Sequence, residues 1–228
     1  VERALISVTI HEVGHNWYPM IVASDERKWT WMDEGLNSFL QYYAEQDWEK
    51  GYPSNRGPAK NIVKYMQDPD QVPIMTESEA IHRAFGNNGY GKPAAGLVML
   101  REQIMGPELF DQAFREYSTK WAFKQPQPAD FFRTLEEGGG EQLNYFWRGW
   151  FFTTYANDQA VTAVESQSAD SLLGTSARGR NYVRITIENK GGILLPIKMN
   201  VTYADGTSDF GKLPADAWRM NELTHKYG

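Results

Sequence analysis

The chain has no cysteine. That excludes disulfides, thiolate metal sites and thiol catalysis, so any transition metal must be held by histidine, aspartate or glutamate. Positive charge is also in deficit: 23 Lys and Arg against 29 Asp and Glu give a formal net charge of −6. With no Lys/Arg cluster to offset it, the sequence lacks the basic face that nucleic acid or an anionic membrane would require. No apolar run approaches the roughly 18 residues of a spanning helix, so no membrane-spanning segment is expected. Internal repeats and low-complexity tracts are missing too, which excludes a solenoid or a propeller.

What is present suits a packed core. Of the 228 residues 41% are hydrophobic and 14% aromatic, enough for one large domain or two small ones. The first half reads as helical. Residues from about Arg3 to Ala23 can form one helix, with a break at Pro19. Met32 to Trp48 carries Leu36, Phe39, Leu40 and Tyr43 at helical spacing. A short helix is expected within 57–67, and the polar stretch from Asp68 to Gly91 reads as loop with one helical turn. Pro93 and Gly106 punctuate a further helix with the stripe Ala94, Leu97, Val98, Leu100 and Ile104. Three more helices are expected over 107–121, from Pro128 to about Gly138, and over 143–152.

After about Tyr155 the period changes. Tyr182 to Ile187 and Pro196 to Tyr203 alternate as strands, Gly191-Gly192 signals a turn, and Ala204-Asp205-Gly206 a hairpin. The expected architecture is therefore multidomain: a mainly α portion over residues 1–155, then an all-β portion over 156–228, in the manner of a partial Ig-like sandwich. The opening Val1 to Ile10 runs straight into the motif described next, as if the chain were entered within an element. The sequence is accordingly expected to be a piece of a longer protein.

That motif is His11-Glu12-Val13-Gly14-His15, an HExxH pentapeptide. Residues four apart on a helix face the same way, so both imidazoles can reach one zinc ion. Glu12, beside the first ligand, lies near the metal without having to bind it and can take the proton of a zinc-bound water. A longer HExxHxxGxxH motif is excluded, because Tyr18 and Ile21 stand where its Gly and third His would be. Instead, eighteen residues separate His15 from Glu34 in Trp31-Met32-Asp33-Glu34-Gly35. A second helix packed on the first can bring Glu34 to the metal, giving two His and one Glu with a fourth position open.

HExxH, eighteen residues and a Glu in a Trp-x-Asp-Glu-Gly context resemble the aminopeptidase N family of gluzincins. The segment Asn16-Trp17-Tyr18-Pro19-Met20 departs from the Gln-Trp-Phe-Gly-Asn of well-known members and is closer to a bacterial branch. The resemblance implies a thermolysin-like catalytic portion, one Zn2+ held by His11, His15 and Glu34, and peptide substrates trimmed from the amino end. Gly89-Tyr90-Gly91-Lys92 resembles the family's Tyr-x-Lys segment, which implies that Tyr90 donates a hydrogen bond to the oxyanion of the tetrahedral intermediate. The family's Gly-x-Met-Glu-Asn strand, whose Glu grips the substrate amine, has no counterpart in these residues. A poorly active piece is the expectation for residues 1–228 alone.

Other readings stay open at this point. The same zinc site would serve a gluzincin endopeptidase, or persist in a non-catalytic module whose aromatic residues Trp147, Trp150, Phe151 and Phe152 form a binding face. Asp33, Asn37 and Ser38 are candidates to orient the ligands, and spacing does not choose among them. His82 and His225 lack a partner at ligand spacing, and Asn200-Val201-Thr202 is an incidental match to a glycosylation acceptor.

Overall fold

A computed structural model describes residues 2–168, 181–218 and 224–227. The chain divides into two compact units, Val1–Thr154 and Tyr155–Gly228.

The first unit is helical. Seven α-helices occur among its described residues: α1 Glu2–Gly14, α2 Leu36–Trp48, α3 Val63–Met66, α4 Lys92–Met99, α5 Pro107–Trp121, α6 Pro128–Gly139 and α7 Asn144–Phe151. Three π-helical turns adjoin them, at Trp31–Gly35, Gly86–Gly91 and Leu100–Met105. The core is aromatic. Phe110, Phe114, Tyr117, Phe131, Phe132, Trp147 and Phe151 are buried between α5, α6 and α7. Trp147, Trp150 and Phe151 are thus interior packing, while Phe152 is half exposed. The helix ends follow local chemistry. Pro128 opens α6, where Gln127 and Asp130 form a reciprocal capping box.

α1 is shorter than the expected Arg3–Ala23 helix. It stops at Gly14, and the chain then turns back on itself through Trp17 N–H to Gly14 O at 2.9 Å and Met20 N–H to His15 O at 3.2 Å. Pro19 cannot donate to a helical ladder, and His15 N–H still makes the i to i−4 bond, to His11 O at 3.3 Å. Both histidines therefore keep helical spacing at the very end of α1.

The second unit is β. Strands β1 Gln159–Ser168, β2 Asn181–Asn189 and β5 Thr224–Tyr227 form a three-stranded antiparallel sheet in the order β1-β2-β5. β3 Ile197–Thr202 and β4 Ser208–Leu213 form a separate hairpin around the expected turn. Ile187, Ile193, Leu194, Leu195 and Ile197 are buried, and Trp218 covers them with its indole N–H donated to Leu195 O at 3.0 Å. β1 was not foreseen: its Gln, Thr, Glu and Ser residues dilute the apolar signal. No described helix is long and apolar enough to cross a membrane.

Candidate metal centre

α1 and α2 pack on each other. Their approach is close because Gly14 has no side chain: a Cβ there would meet Asn37 Oδ1 at 2.0 Å. Asn37, fully buried on α2, uses that gap to donate from Nδ2 to His11 O at 2.8 Å. The backbone of the HExxH segment is thereby tied to α2. The π turn before α2 is anchored from the other side. Trp31 is 1% exposed and sits among Phe131, Phe132 and Phe151, at ring distances of 5.6, 5.6 and 4.9 Å. Aromatic pairs of this kind are each worth about 0.5–1.5 kcal/mol beyond their buried area. Glu34, three residues on, inherits that placement.

The result is a convergence of three ligand-type side chains. One ligand atom from each of His11, His15 and Glu34 lies within 4.8 Å of the others. His11 Nε2 is 3.0 Å and His15 Nε2 3.4 Å from the same oxygen, Glu34 Oε2. The far side of each ring is occupied. His11 Nδ1 donates to Gln41 Oε1 at 2.9 Å, and His15 Nδ1 donates to Tyr18 O at 2.8 Å. These bonds assign the proton of each neutral imidazole to Nδ1 and leave the Nε2 lone pairs turned toward Glu34. Lone pairs of two imidazoles and a carboxylate facing one point repel unless a positive charge lies between them. The donor set and its outer hydrogen bonds therefore fit a divalent cation that takes nitrogen and oxygen ligands, zinc in particular.

The surrounding groups bias the charges. Burial alone would raise Glu34, but its contacts with His11 Nε2 and the Tyr90 hydroxyl, and the nearness of His15, outweigh it and hold this carboxyl below its ordinary range. Burial, reinforced by the Glu34 charge, pushes the neighbouring Asp33 up to about 7. Asp33 Oδ1 stands 3.0 Å from His15 Nδ1 as an electrostatic neighbour, without an aligned hydrogen bond of its own.

Tyr90, from the π turn Gly86–Gly91, donates its hydroxyl to Glu34 Oε1 at 2.6 Å. Burial and the Glu34 carboxylate both raise its pKa, so the phenol stays a donor at neutral pH. Lys92, two residues on, is fully buried at the start of α4. Its ammonium reaches Gln71 Oε1 and Thr153 O, both at 3.3 Å, and Trp150 Nε1 donates to Lys92 O at 2.8 Å. The segment carrying Tyr90 is pinned to the end of α7 in this way.

All five expected site residues line one cavity of about 450 Å3: His11, Glu12, His15, Glu34 and Tyr90. Glu12 is exposed within it. Of the three candidates for orienting ligands, Asn37 bonds the His11 backbone, Asp33 faces His15, and Ser38 accepts only a 3.4 Å contact from Arg56. Gln41, the acceptor for His11, was not among them. It follows Glu34 and Asn37 at seven and four residues along the same helical face, a spacing that could have pointed to it. Arg56 was also missed. It comes from the loop before α3, with its guanidinium carbon 4.1 Å above the Tyr90 ring. His82 is exposed outside the group, and the backbone of His225 pairs with Ile187 on β5.

The Peptidase family M1 domain model matches residues 1–150. The chain is 29% identical over 147 residues to a glutamyl aminopeptidase of Sus scrofa, an alignment covering 60% of this chain and 15% of that protein. To Aminopeptidase M1-D of Oryza sativa subsp. japonica it is 26% identical over 198 residues, covering 80% of this chain and 22% of that one. The match thus spans about a fifth or less of these relatives' length. In fold it is similar to Legionella pneumophila aminopeptidase A, solved with aspartic acid, at a TM-score of 0.63 and 15% identity, over 97% of this chain and 24% of that one.

Proposed function

The chain belongs to peptidase family M1, and on that premise we propose that it carries the zinc centre and proton-transfer groups of an aminopeptidase releasing amino-terminal residues from peptides. The observation that carries this reading is the placement of His11, His15 and Glu34 around one point, with Glu12 and Tyr90 in the same cavity. His11 Nε2, His15 Nε2 and the Glu34 carboxylate would hold the zinc. When bound there, zinc supplies a Lewis acid that polarises a carbonyl and acidifies water.

The chain's own groups do the rest. Gln41 and Tyr18 O keep the two imidazoles in the tautomer that offers Nε2. Glu12 accepts the proton of the attacking water and returns it to the departing amine. Tyr90, held protonated, donates to the oxyanion that develops on the scissile carbonyl. The aminopeptidase names of the relatives support the choice of substrate end. In the same reading residues 1–155 are the catalytic portion of a thermolysin-like fold. Residues 156–228, with two small antiparallel sheets, are part of an Ig-like β-sandwich, for which the buried apolar residues Ile187, Ile193, Leu194, Leu195 and Ile197 speak.

The test is metal content. The full protein is expected to bind one zinc and to hydrolyse an aminoacyl amide in a chelator-sensitive way. Glu34→Ala is expected to lose most of that zinc. Unchanged stoichiometry in the variant would reject the ligand set.

A further inference from the structure

We propose that Arg56 is a carboxylate-recognition group in the same cavity, selecting peptides that carry a negative charge next to the bond being cleaved. This deepens the aminopeptidase reading and rests on it for the identity of the occupant.

Arg56 is the only lysine or arginine among the described lining residues. Its guanidinium carbon lies 4.1 Å over the Tyr90 ring, and its one hydrogen bond among the described residues is the 3.4 Å contact from a terminal nitrogen to Ser38 Oγ. A guanidinium has five N–H donors in a planar fork, so most of them are left for a ligand. Burial works against its charge more than Tyr90, Glu34 and Glu45 favour it, and neither carboxylate forms an ion pair with it. A half-buried cation with spare donors is costly unless something meets them. The planar fork matches a carboxylate better than any neutral group.

The loop is built to hold this position. Tyr52 donates its hydroxyl to Arg3 O at 2.6 Å, fastening the loop to α1. Gln46 donates to Tyr52 O and Ser54 Oγ, both at 2.9 Å, and Asn61 donates to Ser54 O at 2.9 Å. The face of the Tyr90 ring then holds the guanidinium in place by a cation–π contact. Because Tyr90 itself reaches Glu34, Arg56 stands one aromatic ring away from the candidate metal centre. At that range it can meet the free C-terminus of a dipeptide or an acidic side chain beside the scissile bond.

The experiment measures binding, so it does not depend on turnover. In the full protein carrying Glu12→Gln, dissociation constants are determined for two matched pairs. Alanyl-alanine against alanyl-alanine amide tests the C-terminal carboxylate, and glutamyl-alanine amide against glutaminyl-alanine amide tests the side chain. Adding Arg56→Gln is expected to reduce the acid-over-amide preference of one pair about ten- to a hundredfold, the range for a hydrogen bond to a charged group. Arg56→Lys, which keeps charge but not the fork, is expected to fall between. The pair that responds identifies the source. Each ratio is internal, so a variant that merely disturbs the fold weakens both members alike. Ratios that Arg56→Gln leaves unchanged in both pairs, or no preference for either acid when Arg56 is present, would overturn the proposal. Failure of the zinc reading shows separately, in the metal content of Glu34→Ala.

Discussion

Gln41 offers the sharpest test of how the candidate metal centre is held. Its carbonyl accepts from His11 Nδ1 at 2.9 Å, while its amide donates to Glu45 Oε1 at 2.8 Å and to Ser7 O at 3.2 Å. Gln41→Leu removes both functions. Without an acceptor the His11 ring loses its orientation and part of its basicity, and such outer partners typically contribute ten- to a hundredfold in metal affinity, or about 1.4–2.7 kcal/mol. Glu45, 1% exposed, also loses its donor, which is expected to cost a further 1–3 kcal/mol or so of stability. Gln41→Glu separates the two effects. It keeps an acceptor for His11 but sets a carboxylate beside Glu45, so stability should fall while zinc affinity is retained. Zinc dissociation constants from chelator competition, with urea unfolding of the metal-free proteins, read the two quantities apart. Equal zinc affinity in wild type and Gln41→Leu, or equal losses in the Leu and Glu variants, would refute the orientation argument.

Other perturbations address the remaining groups. Glu12→Gln should keep its zinc and lose turnover in the full protein; substantial residual hydrolysis would assign the base to another residue. Tyr90→Phe removes one donor and should lower turnover about a hundred- to a thousandfold, or about 2.7–4 kcal/mol, with zinc content unchanged; normal turnover would remove Tyr90 from the mechanism. Burial pulls Lys92 down to about 8 from its ordinary 10.5. The unfolded chain therefore holds this proton more tightly, and the cost of the buried charge is complete below pH 8 and relieved as pH rises toward 10.5. Relative to Lys92→Met, the wild type should gain about 2–3 kcal/mol of stability between pH 8 and 10; parallel pH profiles in urea unfolding would show that the ammonium is not desolvated.

Much of this was legible because helical spacing is a strong code. The pair His11 and His15 needs only the 3.6-residue period to face one point, apolar stripes announced α2 and α4, and α5, α6 and α7 were marked by the starts at Pro107 and Pro128 and by aromatic content. What escaped has physical reasons. The close approach of α1 to α2 depends on Gly14 meeting Asn37 across a helix contact, a tertiary event with no local signature. Arg56 sits in a loop whose course is set by Tyr52, Gln46 and Asn61, three residues with no common period. β1 is polar enough that only pairing with β2 makes it a strand. The π turns leave no mark in hydropathy, since they change the bond pattern without changing which residues are apolar.

Those π turns explain how two distant segments meet with hydrogen-bond accuracy. Glu34 and Tyr90 are 56 residues apart in sequence. Each lies in a π turn that runs directly into an α-helix, α2 or α4, so each is displaced from regular helical register at the place where the two turns touch. Contact is backbone-close. A Cβ on Gly35 would come within 2.8 Å of Pro93 and 3.1 Å of Gly89 O, and a Cβ on Gly89 within 2.6 Å of Thr30 Cγ2. Pro93 stands at the second residue of α4, where the π turn passes into the α-helix. Behind one turn stands Trp31 in the aromatic core, and behind the other Lys92 on Thr153 O. Neither Trp31 nor Lys92 reaches the ligand atoms, yet between them they set the 2.6 Å bond from Tyr90 to Glu34. The glycines of Trp-x-Asp-Glu-Gly and of Gly-Tyr-Gly-Lys thus belong to the site as much as the side chains beside them. They permit the approach that the core then makes rigid.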